Sequence, residues 1–240
     1  MIKNSELEHD KKILEGAERV WGRSGEAGRR RLKRRAEMVV EYCEIVPGKK
    51  VLEIGCGTGT LTESLVATGA EIVATDIFED FLKVVEGKVG KNKNISFKIA
   101  DAETLDGFAD ESFDAVVGLS ILHHLDIDKT FASIKRVLKP GGKLAFAEPN
   151  MMNPQIVIQK NVPPIKKIMG DSPEETAFFR WPLANKLKGL GFGEINIVPF
   201  DFLHPAVPNF LAPFIDKLGF FLEKLPLREI AGSLFVGAKK

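Results

Sequence analysis

From Lys50 onward the chain alternates two kinds of apolar pattern. Continuous apolar runs rich in β-branched residues occur at Val51–Ile54, Ile72–Thr75, Ile95–Ile99, Ala115–Leu119 and Leu144–Ala147. Between them lie segments of helical period, such as Leu61–Ala67 and Phe131–Leu138. Runs that are apolar throughout, rather than at every second position, predict strands covered on both faces, the condition of a parallel sheet. The alternation predicts a doubly wound α/β fold. Ile195–Val198 and Ser233–Ala238 add two strands, making seven in a mostly parallel sheet.

Two stretches interrupt this regularity. Residues 149–181 hold Pro149, Pro154, Pro163, Pro164 and Pro173, which predicts loops and short helices. Trp181-Pro182 opens a helix that Gly191 stops. Residues 201–230 form a second insertion. Both follow strands in the far half of the sheet, so a lid is expected over a domain spanning 48–240. Residues 1–47 read as a charged helical segment closed by Pro47-Gly48. Six of the seven residues Arg29–Arg35 are basic; Glu26, Glu37 and Glu41 stand at helical spacing, which predicts a solvated face.

Charge and composition narrow the function. With 34 Lys+Arg against 33 Asp+Glu the net charge is +1, which argues against nucleic-acid binding by bulk charge. A hydrophobic share of 44% is too high for disorder. Cys43 and Cys56 cannot make a disulfide scaffold or a Cys-rich zinc site. The start MIKNSELEHDKK lacks the apolar core of a signal peptide and no stretch has the length of a membrane span, so a cytoplasmic location is expected.

The chemistry concentrates in VLEIGCGTGTLTESL, residues 51–65. A buried strand runs into Gly55, Gly57 and Gly59, and a helix begins at Thr60. Such glycines permit positive φ and let a ligand lie against backbone N–H groups at a helix start. The spacing is G-x-G-x-G, unlike the dinucleotide G-x-G-x-x-G. Asp76 ends the second strand, where a doubly wound fold places a ribose-binding carboxylate; capping of the following helix is the competing structural role.

These motifs, in this order, resemble class I S-adenosylmethionine-dependent methyltransferases of the small-molecule type. AEIVATDI resembles the ribose-binding strand and AETL, residues 102–105, the adenine-binding turn. SFDAVVGLSILHHL, residues 112–125, and RVLKPGGKLAFAEPN, residues 136–150, resemble the fourth and fifth strand motifs. The resemblance implies a Rossmann-like methyltransferase fold and S-adenosyl-L-methionine as cofactor, with S-adenosyl-L-homocysteine as product. It places Glu53, Gly55, Cys56, Gly57 and Gly59 along the methionine portion and Asp76 on the ribose. Ile77, Asp101 and Ala102 fall at the adenine, and Leu119 and Ser120 on the passage to the acceptor. His123 joins the cofactor edge. Cys56 reads as packing rather than a nucleophile.

His124 and His204 are the candidate catalytic bases, each with an ordinary pKa of roughly 6.5; a structural role competes for each. A metal is not expected, because no third ligand stands at metal-site spacing beside His123-His124. Phe178, Arg180 and Trp181 are candidates for the acceptor pocket, Arg180 as anion clamp or as partner of Glu174 or Glu175. The apolar stripe in 208–225 is open between core, pocket wall, peripheral membrane contact and subunit contact. The expected acceptor is small and apolar or amphipathic, reached by in-line displacement, in a monomer or homodimer. The rival readings are an RNA methyltransferase using Arg29–Arg35 and a non-catalytic binder of the cofactor.

Overall fold

A computed structural model describes residues 25–168, 171 and 175–240. The expectation of helix over residues 1–24 lies outside them. Seven strands form one sheet: β1 Lys50–Ile54, β2 Glu71–Asp76, β3 Ile95–Ile99, β4 Phe113–Leu119, β5 Leu138–Pro149, β6 Gly193–Phe200 and β7 Ser233–Lys239. Their order is β3-β2-β1-β4-β5-β7-β6, and β7 runs antiparallel to both neighbours while the other pairs are parallel. The register of β4 against β5 shifts between Phe113 and Ala115, where Lys139–Gly142 bulge out of the pairing.

Burial on both faces explains the apolar runs of β1, β2, β4 and β5. Strand β3 departs from the expectation, because as the edge strand it is largely open, with Ile99 55% exposed. Leu52, Ile54 and Val116 face a core with Phe131 and Ile134 of α4 (Ile127–Val137) and Leu183 and Leu187 of α7 (Arg180–Gly189). Val51, Ile72, Ala115 and Val117 face the opposite core with Ala36 and Val39 of α1 (Glu26–Tyr42) and Leu61 and Leu65 of α2 (Thr60–Val66). Helix α3 (Glu79–Val89) covers the β2 end through Leu82 and Val85. The carboxyl ends of β1, β2 and β4 therefore meet along one edge, and the insertions adjoin it. The first insertion contains α5 (Pro154–Asn161) and α6 (Pro163–Ile168), the second α8 (Ala212–Leu222).

The Arg29–Arg35 run is not a solvated face. Arg31 donates to Asp201 at 2.7 Å, Arg35 reaches the same carboxylate at 3.3 Å, and Arg34 grips Glu223 with two nitrogens at 2.7 and 2.5 Å. Arg34 also lies over the Phe220 ring at 4.1 Å. Positions 31, 34 and 35 share one helical face, and long guanidinium side chains on it span to the second insertion. Only part of the run follows the expected pattern: Glu26 takes Arg29 and Arg30 at 3.1 and 2.8 Å, and Lys33 stands 3.8 Å from Glu37.

Candidate active site

The glycine loop leaves β1 with three left-handed residues, Gly55, Gly57 and Gly59, the last capping α2. A side chain at Gly55 would press its Cβ to 2.6 Å from Ile121, whereas nothing lies within 4 Å of the corresponding point at Gly57. The loop thus presents open backbone at its middle. The Gly57 N–H donates to Asp76 Oδ2 at 2.9 Å, and the Phe78 N–H to Oδ1 at 3.0 Å. Asp76 is buried, and desolvation raises its pKa against those backbone bonds. It holds the turn after β2 without capping α3, whose N-cap is Phe78. Each carboxylate oxygen keeps a lone pair for a hydroxyl donor.

Glu53 is 1% exposed and accepts the Thr62 hydroxyl at 2.7 Å. Desolvation pushes its pKa up to about 8 against that hydrogen bond, with the Asp76 charge adding to the rise. No cationic side chain pairs with it among the described residues. A buried carboxylate so placed lacks a counter-charge, which the ammonium of S-adenosylmethionine would supply. With the open backbone at Gly57, this fits the cofactor to the site. Cys56 is buried against Ala74, Leu82 and Val85, and burial pushes its thiol well above the ordinary range, as packing requires.

Ile77 is half-buried beside Asp76. Asp101, two residues past β3, accepts the Glu103 N–H at 2.8 Å in a tight turn that includes Ala102. Leu119 ends β4 and is half-buried; Ser120 turns the chain with φ +55 and anchors its N–H on the Ala147 carbonyl at 2.9 Å. Arg35 stands 3.5 Å from the Ser120 hydroxyl, so α1 also reaches this edge. The sequence reading did not single out Arg35.

It also missed Glu148. This fully buried residue near the end of β5 accepts the N–H groups of Ile121 and Leu122 at 3.0 and 2.9 Å and lies 2.7 Å from His123 Nδ1. His123 Nε2 faces Glu175 at 3.3 Å, and Glu175 is held by Lys160 at 2.5 Å, which also meets Asp171 at 3.0 Å. Burial opposes a charge on His123, but its bonds to Glu148 and Glu175 outweigh this and raise its pKa to about 9. His123 is thus a cation between two carboxylates, joining the sheet edge to the first insertion.

The fold supplies the third group that sequence spacing lacked: His123, His124 and Glu175 offer ligand atoms within 4.8 Å of one another. The same Glu175 carboxylate is already taken by the Lys160 ammonium and by His123. The arrangement has the chemistry of an ion-pair chain.

His124 stacks on His123 with ring centroids 4.1 Å apart. Desolvation and the neighbouring His123 charge lower its pKa to about 4, leaving it neutral at physiological pH and weakly basic. His204 accepts the Ala206 N–H on Nδ1 at 3.1 Å, and its Nε2 lies 2.7 Å from the Gln155 amide. The ring thus bridges the two insertions.

Arg180 pairs with Glu229 at 3.2 Å and lies over Trp181 at 4.7 Å, while Glu175 belongs to His123 and Lys160; the expected Arg180–Glu175 pair does not form. Glu174 lies outside the described residues. Phe178 packs on the main core and bridges Asn150 through its backbone. Trp181 is half exposed and encloses no pocket by itself.

Residues 52–146 match a family model described as a methyltransferase domain. A demethylmenaquinone methyltransferase of Corynebacterium efficiens is 30% identical over 200 residues, covering 75% of this chain and 76% of the relative. A ubiquinone biosynthesis O-methyltransferase of Idiomarina loihiensis is 36% identical over 105 residues, 43% of each chain. The fold is similar to that of an S-adenosylmethionine-dependent methyltransferase from Archaeoglobus fulgidus, with TM-score 0.61, 22% identity, and coverage of 87% of this chain and 94% of that one.

Proposed function

The chain belongs to the class I S-adenosylmethionine-dependent methyltransferases, and from that premise we propose that it methylates a small apolar or amphipathic ring of the quinone-precursor kind. The observation that carries this reading is the similarity to quinone-pathway methyltransferases along three quarters of the chain. When bound, S-adenosylmethionine supplies an electrophilic sulfonium methyl. Glu53 takes its ammonium, Asp76 the ribose hydroxyls, and Asp101 with Ala102 and Ile77 the adenine. Gly55, Cys56, Gly57 and Gly59 line the methionine portion, and Leu119 and Ser120 flank the acceptor's approach.

The task left to the protein is to hold the acceptor's nucleophilic atom in line with the methyl and to exclude water. Orientation of this kind supplies about 7–11 kcal/mol of acceleration in well-ordered systems. His123 is protonated at neutral pH and acts by positioning. His124 and His204 are neutral there, each ring with one proton and one lone pair; His124 is a weak base, and the His204 Nδ1 lone pair already accepts the Ala206 N–H. The site therefore suits an acceptor that is nucleophilic on its own or loses its proton easily. Residues 149–181 and 201–230 form the lid in this reading, and 48–240 the catalytic domain.

The test is transfer of labelled methyl from S-adenosylmethionine to host extract partitioned between organic solvent and water. Label in a quinol-containing organic fraction is the expected result. Label confined to water-soluble products or RNA would overturn the reading.

A further inference from the structure

Helix α8 is amphipathic in the reverse sense. Ala212, Asp216, Gly219 and Glu223 recur at i, i+4, i+7 and i+11 and face the protein. Ala212 and Gly219 are buried, while Asp216 and Glu223 meet Arg30 and Arg34 at 3.4 and 2.5 Å. The outward side carries Phe214, Leu218 and Phe221, which are 66%, 42% and 58% exposed, and Phe210 just ahead of the helix is 81% exposed. A helix normally hides its phenylalanines and shows its acids. This one hides the acids and shows the phenylalanines.

The charges that remain outside are informative. Lys217 and Lys224, one helical heptad apart, are exposed on α8 and its end. Both acids of the segment are turned inward and neutralised by α1, so the outer face combines bulky aromatics with positive charge alone. From this we infer that the outer face of α8 docks on an anionic lipid bilayer, with the phenylalanines entering the headgroup–acyl boundary and the lysines meeting anionic headgroups. The helix is 11 residues, roughly 16 Å long, and among the described residues no helix can cross a membrane. It lies in the plane of the surface. A second copy fits less well: two-fold pairing of this face would juxtapose lysines with no acid opposite.

The inference goes beyond the acceptor assignment and does not depend on it, because the measurement is lipid binding without turnover. The full chain is mixed with sucrose-loaded vesicles of phosphatidylcholine alone, or of phosphatidylcholine with phosphatidylglycerol, and sedimented. The protein is expected to pellet with the anionic vesicles and to be released by salt. A Phe214→Asp/Phe221→Asp double variant should partition at least about tenfold more weakly. Lys217→Glu/Lys224→Glu should abolish the preference for phosphatidylglycerol. Circular dichroism and S-adenosylmethionine affinity, unchanged in these variants, establish that they fold. No pelleting of the wild-type chain, or equal pelleting of the folded phenylalanine variant, overturns the proposal. So does a wild-type dimer, seen by light scattering, that the phenylalanine variant splits while neither binds vesicles.

Discussion

Glu53 occupies an uncomfortable position until a cation arrives beside it. Its pKa in the folded chain is about 8, above the ordinary 4.5, so between those values the folded protein holds a proton that the unfolded chain has released. Stability from this group is therefore lost as pH rises from about 4.5 to about 8. Binding an ammonium there requires the ionised carboxylate, so below pH 8 it must expel the proton. Cofactor affinity should rise as pH climbs toward about 8, until the cofactor's own amino group begins to lose its proton. The rise below pH 8 should vanish in Glu53→Gln. Calorimetry across that range checks both, and a flat wild-type profile would remove Glu53 from the ammonium site. At the next strand, Asp76→Ala should weaken binding by about 1.5–3 kcal/mol, the worth of charge-assisted hydrogen bonds. Gly57→Val should be more severe, since its branched side chain would fill open ligand space at φ +50. Wild-type affinity in either variant, by titration, would contradict the assignment.

Among the elements, α5 and Glu175 are fastened to β5 through His123. The ring's pKa of about 9 exceeds its ordinary 6.5, so its stabilising charge is complete below about 6.5 and is lost as pH rises through about 9. Amide hydrogen exchange in 154–168, corrected for the intrinsic rise with pH, should accelerate above pH 9 while β1 and β4 stay protected. Equal protection of 154–168 on both sides of pH 9 would show that the ion chain does not fasten the insertion. The seven strands were legible because continuous apolar runs have few alternatives. Glu148 was not, although its signal was present: an acid directly after Phe146-Ala147 ends an apolar run that a solvated residue would not extend. The rest of the chain, Glu175 on His123 and Lys160 and Asp171 behind it, lies in a segment without periodicity, where no spacing rule brings a residue 52 positions away to that histidine. The glycine loop and Asp76 were readable because their chemistry is local to one turn.

For the whole molecule, α1 is the clasp that holds the second insertion against the sheet. Arg34→Ala leaves Glu223 mostly buried without its cation and should cost about 3–5 kcal/mol in denaturant unfolding. Lys33→Ala, at a well-exposed pair, should cost less than about 1 kcal/mol. Comparable losses in both variants would mean that the clasp carries no special weight. The basic run looked uniform because six like residues conceal their own period; only the apolar positions Ala27, Ala36 and Val39 disclose which side faces in. The sheet order also governs how the chain comes together during synthesis. β6 pairs with β7 and with no other strand, yet β7 leaves the ribosome after it, with 201–230 in between. Until β7 emerges, β6 has no ladder to join and the β5 edge stands open. Translation speed through 201–230 thus sets how long two unpaired strand edges face the cell, and a pause there lengthens the window in which nascent chains can aggregate.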